Sequence, residues 1–96
     1  MPTTYKIITK ERQVKRLIRY CKKTGYASVD FETNALPIRH PEFYPTILGV
    51  SFQPGSSYII PLGHFDSPFK NHWEKIWKPF CKQVIENPKI IKVAQN

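Results

Sequence analysis

With 96 residues, 41% of them hydrophobic and 14% aromatic, the chain has material for one modest core and no more. Fifteen Lys and Arg against seven Asp and Glu give a formal charge of +8 and a pI of about 9.7, a balance that favours a polyanionic partner such as nucleic acid. No apolar run reaches spanning length and no leader pattern follows Met1, so the expectation is a cytoplasmic protein with no membrane contact.

In chain order, Tyr5 to Ile8 reads as a short strand, with Thr9 as the N-cap of a following helix. From Lys10 to Thr24, Val14, Leu17, Ile18 and Cys21 fall at i, i+3, i+4 and i+7, one face of an amphipathic helix that Gly25 ends. Its other face carries Lys10, Arg12, Lys15, Arg16, Arg19, Lys22 and Lys23. That face reads as a solvated surface or as a nucleic-acid contact.

Ala27 to Thr33 reads as a strand. Side chains alternate along it, so Ala27, Val29 and Phe31 can face a core while Ser28, Asp30 and Glu32 share the other surface. At a rise of about 3.3 Å per residue the Cα atoms of Asp30 and Glu32 stand roughly 6.6 Å apart, so both carboxylates can reach one hard cation. The alternative for this pair is the polar, solvent-facing side of an edge strand.

Pro37, Pro41 and Pro45 make residues 34 to 46 an irregular connection. Ile47 to Phe52 and Ser57 to Leu62 then form a hairpin about a Pro54-Gly55 turn, with Pro61 at a strand end or edge. Asn71 with Glu74 resembles a capping box opening a helix through Trp73, Ile76, Trp77, Phe80, Val84 and Ile85, which Pro79 should bend or split. Lys89 to Ala94 is a last strand, able to lie parallel to an earlier one after the helical crossover. The two cysteines, Cys21 and Cys81, lack the spacing of a zinc site and read as helix-face thiols. The fold class is therefore α/β with a mixed sheet, in the order strand, helix, three strands, helix, strand.

Ser28 to Leu36 resembles the first motif of the DnaQ-like, RNase H-fold 3′-to-5′ exonucleases. More narrowly, Ile47 to Phe52, the Pro54-Gly55 turn, Tyr58 to His64 and the closing Lys92-Val93-Ala94-Gln95-Asn96 resemble the proofreading domain of bacterial and phage family A DNA polymerases. The resemblance runs from Tyr5 onward and implies an RNase H-like mixed sheet, with residues 1 to 96 the N-terminal part of one exonuclease domain. It implies that Asp30 and Glu32 are catalytic metal ligands for two Mg2+ or Mn2+ ions. Thr33 and Leu36 would hold the terminal nucleotide, and Gln95 and Asn96 would lie near the substrate strand. The partners so implied are a single-stranded DNA 3′ end and the remainder of a polymerase chain. In that family the second motif continues beyond Asn96 to an aspartate, and a third supplies a general-base tyrosine or histidine and another aspartate. The chain is accordingly expected to carry half of a catalytic site and to be inactive alone.

His64 fits the family's loop after the strand and reads as structural. Glu42 and Asp66 read as surface carboxylates, and His40 and His72 have no evident orienting partner. Two other readings stand beside the first: a non-catalytic module that binds nucleic acid or docks a protein through the basic helix, and a fragment of an RNase D-like exoribonuclease using the same first motif.

Overall fold

The computed structural model describes residues 4–36, 39–53 and 56–95. Strand β1 (Thr4–Ile7) leads into helix α1 (Glu11–Thr24), and strands β2 (Tyr26–Thr33), β3 (Pro45–Gln53) and β4 (Ser56–Pro61) follow. Helix α2 (Trp73–Phe80) and strand β5 (Ile91–Gln95) complete the order expected from the sequence. The five strands form one sheet in the order β1-β4-β3-β2-β5. β2 and β4 each pair antiparallel with β3, whereas β1 runs parallel to β4 and β5 parallel to β2. The crossover through α2 thus returns the chain beside the strand that carries Asp30 and Glu32. That strand is interior, which removes the edge-strand reading of the pair.

Both helices pack on one face of the sheet. Val14, Leu17, Ile18 and Cys21 of α1 and Ile76 and Phe80 of α2 are buried against Ala27 and Val29 of β2, Leu48 and Val50 of β3 and Ile60 of β4. Full burial of each large apolar side chain contributes roughly 1.5–3 kcal/mol. Phe31, on the same face, stays half exposed because it lies past the main core, its ring edge-on to Trp77 with centroids 5.2 Å apart.

Several local details differ from the sequence expectations. The N-cap of α1 is Lys10, not Thr9: the Gln13 Oε1 accepts the backbone N–H of both Thr9 (2.9 Å) and Lys10 (3.0 Å), which places the cap one residue later. The capping box at Asn71 does not form. The buried Ser67 accepts the Phe69 N–H through its Oγ (2.9 Å), and Phe69 is itself buried. The chain therefore enters α2 through a single 3-10 turn over Lys70–His72, with no side-chain cap. Pro79 lies inside α2 and does not split it, the chain staying helical past the proline. After Phe80 the backbone widens into a π turn over Cys81–Ile85, in which Glu86 N–H donates to Cys81 O (2.8 Å). Pro61 sits at the end of β4, which is not an edge strand. The Pro54-Gly55 turn lies outside the described residues.

Candidate active site

The sheet face turned away from the helices carries Asp30 and Glu32. Both side chains are exposed, and among the described residues neither carboxylate takes a hydrogen bond or an ion pair. Their cross-strand neighbours are small or apolar: Asp30 stands opposite Gly49, and Glu32 opposite Ile47. Beyond Gly49 the same row continues to Ile59 of β4 and Ile7 of β1. Two carboxylates on a largely apolar sheet face, with no cationic partner among the described residues of the neighbouring strands, form a donor set suited to a hard divalent ion. Magnesium sites commonly use one or two carboxylates and leave the remaining positions to water and phosphate oxygens.

The backbone after this pair is shaped by a register shift. Glu32 pairs with Ile47 and Thr33 with Pro45, so Thr46 is skipped and the strand bulges as it leaves the sheet. Asn34 then closes the connecting loop. Its Nδ2 donates to Glu42 O (2.8 Å), its backbone N–H donates to Tyr44 O (3.2 Å), and its Oδ1 accepts the Tyr44 N–H (3.4 Å). Thr33 Oγ1 accepts the Ala35 N–H (3.2 Å), which helps hold Ala35 at a φ of 66°. Leu36 follows, half-buried. Thr33 and Leu36 are thus fixed within a few residues of the carboxylates by a turn anchored on Asn34, a residue inside the Ser28-to-Leu36 motif to which the sequence alone assigns no role. The signal available was an Asn ending a strand before a proline-rich loop.

Gln95 is brought in by the parallel crossover, its backbone in register with Asp30 on the neighbouring strand. Asn96 lies outside the described residues. The other candidate side chains are not gathered at the pair. Among the described residues no group of three His, Cys, Asp or Glu is placed to hold a metal ion. His40 Nδ1 accepts the Glu42 N–H (3.0 Å), His64 Nδ1 accepts the Asp66 N–H (3.1 Å) while stacking on Phe65, and His72 lies edge-on to Phe69. All three histidines thus have local partners. Cys21 is buried and Cys81 half-buried, with its Sγ donating to Glu86 Oε2 (3.4 Å). No described helix is long and apolar enough to cross a membrane.

A mixed five-stranded sheet with helices on one face and a carboxylate pair on an interior strand defines the class: an α/β protein of RNase H-like fold. The family model described as 3′-5′ exonuclease matches residues 5–96, and the chain belongs to that family, whose members act on nucleic acid. No curated protein sequence matches the chain. Among solved structures it is similar to the catalytic core of RRP6 from Trypanosoma brucei, with a TM-score of 0.55 at 10% identity over 96% of this chain. The chain spans 22% of that core's length, and the likeness establishes the shared fold.

Proposed function

We propose that the chain is the N-terminal part of the proofreading 3′-to-5′ exonuclease domain of a family A DNA polymerase, removing nucleotides from DNA 3′ ends. The observation that carries this reading is the pair of exposed carboxylates on an interior strand, without partners among the described residues, in a chain whose family is exonucleolytic. Asp30 and Glu32 would hold a divalent ion, Mg2+ or Mn2+. Such an ion supplies an activated water and stabilises charge on the phosphoryl oxygens. Glu32, last in the strand before the bulge, would also meet the terminal 3′ hydroxyl. Leu36 would rest against the terminal base, Thr33 would contact the last nucleotide, and Gln95, with Asn96, would lie beside the substrate strand. On this reading Asp30 and Glu32 are half of the site, and the remaining carboxylates and the general base belong to later motifs of the family pattern. The cytoplasm of a bacterial or phage-infected cell is the compartment that goes with this role.

The test is manganese binding followed by electron paramagnetic resonance, alongside shortening of 5′-labelled single-stranded DNA and RNA. Asp30→Ala and Glu32→Ala should each weaken Mn2+ binding by more than about tenfold, with no shortening by the unmodified chain. Mn2+ binding unchanged in both variants would refute the carboxylate site. DNA shortening that Asp30→Ala abolishes would keep the site and refute the half-site description. Metal-dependent shortening of RNA alone would move the chain to the RNase D-like reading.

A further inference from the structure

On the helical side of the sheet, away from the carboxylates, a recess of about 130 Å³ opens between α1 and the β1-β4 edge. Lys6 and Tyr58, register partners on β1 and β4, form its floor, and Arg16, Leu17 and Tyr20 of α1 form its wall. Lys6 and Arg16 bring two cations to this recess, and among the described residues neither has a carboxylate partner, the one ion pair among those residues being Lys78–Glu74 on α2. The exposed side of α1 continues the field with Arg12, Lys15, Arg19, Lys22 and Lys23 against one acid, Glu11. Gln13 also lines the recess, but its Oε1 is engaged by the backbone of Thr9 and Lys10.

The aromatic side of the recess is ordered. Phe52 packs edge-on to Tyr20 at 4.7 Å and to Tyr58 at 6.1 Å, which fixes both phenol rings, while Tyr20 remains 50% exposed. Two uncompensated cations beside a half-exposed, braced aromatic ring are the elements that single-stranded nucleic acid sites combine: charge for the backbone and a π face for a base. The volume restricts the occupant. Pockets for whole small molecules run to roughly 300–1,000 Å³, so this recess suits one anionic group of a polymer rather than a free nucleotide.

We propose that this recess is a second nucleic-acid contact, with Lys6 and Arg16 holding a backbone phosphate of a single strand and Tyr20 stacking on an adjacent base. It lies on the opposite face of the sheet from Asp30 and Glu32 and so engages a segment other than the terminal nucleotide. This contact needs no metal and stands whether or not the carboxylate pair is catalytic.

Fluorescence anisotropy with labelled oligothymidylate and oligouridylate, in EDTA to silence any metal-dependent site, tests the contact over a range of salt. Both strands should bind. Arg16→Ala should lower the slope of log K against log salt by about 0.7, the loss of one phosphate contact on a single strand. Tyr20→Leu should weaken strand binding by about fivefold or more with the slope unchanged, and should leave binding of inorganic polyphosphate as it was. Lys75→Ala, on the exposed side of α2, serves as a charge-matched comparison and should change affinity less than about twofold. Equal effects of Arg16→Ala and Lys75→Ala would overturn the proposal in favour of diffuse attraction. So would strand binding unaffected by Tyr20→Leu, or an equal loss of polyphosphate binding. Arg16 and Tyr20 are exposed, and a far-ultraviolet spectrum matching the unmodified chain, with Arg16→Gln as a second substitution, separates loss of contact from loss of helix.

Discussion

Gly49 stands directly across the β2-β3 ladder from Asp30, and a Cβ built on it would lie 3.8 Å from the Asp30 Cβ and 3.8 Å from Ile59 Cδ1. The site is therefore open by one missing side chain, at a position where a methyl would make only ordinary contact. Gly49→Ala should fold with stability unchanged or raised by up to about 1 kcal/mol, since glycine is unfavourable within a strand. Gly49→Val adds branches beside the carboxylate and should weaken Mn2+ binding several-fold while the thermal unfolding midpoint stays within a few degrees. Thermal unfolding and Mn2+ titration on the two variants check this.

Asn34 ties the strand that carries the carboxylates to the far end of the proline-rich loop at Glu42 and Tyr44. Removing its side-chain amide in Asn34→Ala deletes both side-chain bonds and should cost about 1–2 kcal/mol. The loss should be local, seen as faster hydrogen exchange at the Tyr44 amide, with the amides of Val29 and Val50 still protected. Exchange at Tyr44 equal to that of the unmodified chain would show that the backbone bond between Asn34 and Tyr44 suffices.

Gly63 makes its close approach for a different reason. A Cβ there would meet Tyr44 Cδ2 at 2.5 Å and Pro45 O at 2.9 Å, on a backbone already bonded from Gly63 N–H to Pro45 O at 3.0 Å. Gly63→Ala must displace the Tyr44 ring or the strand and should lower stability by about 1–3 kcal/mol, measured by urea unfolding. Tyr44→Ala combined with Gly63→Ala should recover part of that loss relative to the sum of the single changes, because the clash is chiefly with the ring.

Burial pushes the Cys21 thiol from 9.0 up to about 11. The native state then holds a proton that the unfolded chain gives up between those values, so Cys21 stabilises the fold fully below about pH 9 and loses that contribution as pH rises toward 11. The amount is about 2–3 kcal/mol. Cys21→Ala should be less stable at neutral pH through the cavity it leaves, yet lose less stability than the unmodified chain between pH 9 and 11. Urea unfolding at the two pH values gives the comparison. In the folded chain at pH 8, Cys81 should react with a thiol reagent well before the fully buried Cys21.

Periodicity alone was enough for much of the architecture. The apolar stripe Val14, Leu17, Ile18, Cys21 and the alternation Ala27, Val29 decide which faces are buried, because spacing of 3.6 or 2 maps directly onto one side of an element. The motif around Asp30 and Glu32 was equally plain, since neighbours in a strand need no tertiary information to share a face. The ends of elements were less legible. Caps depend on which side chain reaches which backbone donor: Gln13 takes the N–H groups of Thr9 and Lys10 and Ser67 that of Phe69, so the two helices begin without the caps expected at Thr9 and Asn71.

What only the tertiary structure decided is what surrounds those local features. The sheet order put β2 in the interior and Gln95 in register with Asp30, pairings between residues far apart in sequence that no local pattern encodes. The same order set Gly49 opposite Asp30, and drew Lys6, Arg16, Tyr20 and Tyr58 from three separate elements into one recess. Sequence by itself determined which residues belong on one face of each strand or helix, because backbone geometry imposes that repeat. Which faces meet is settled by packing and strand pairing across the whole chain, and there the neighbours of each functional side chain are chosen.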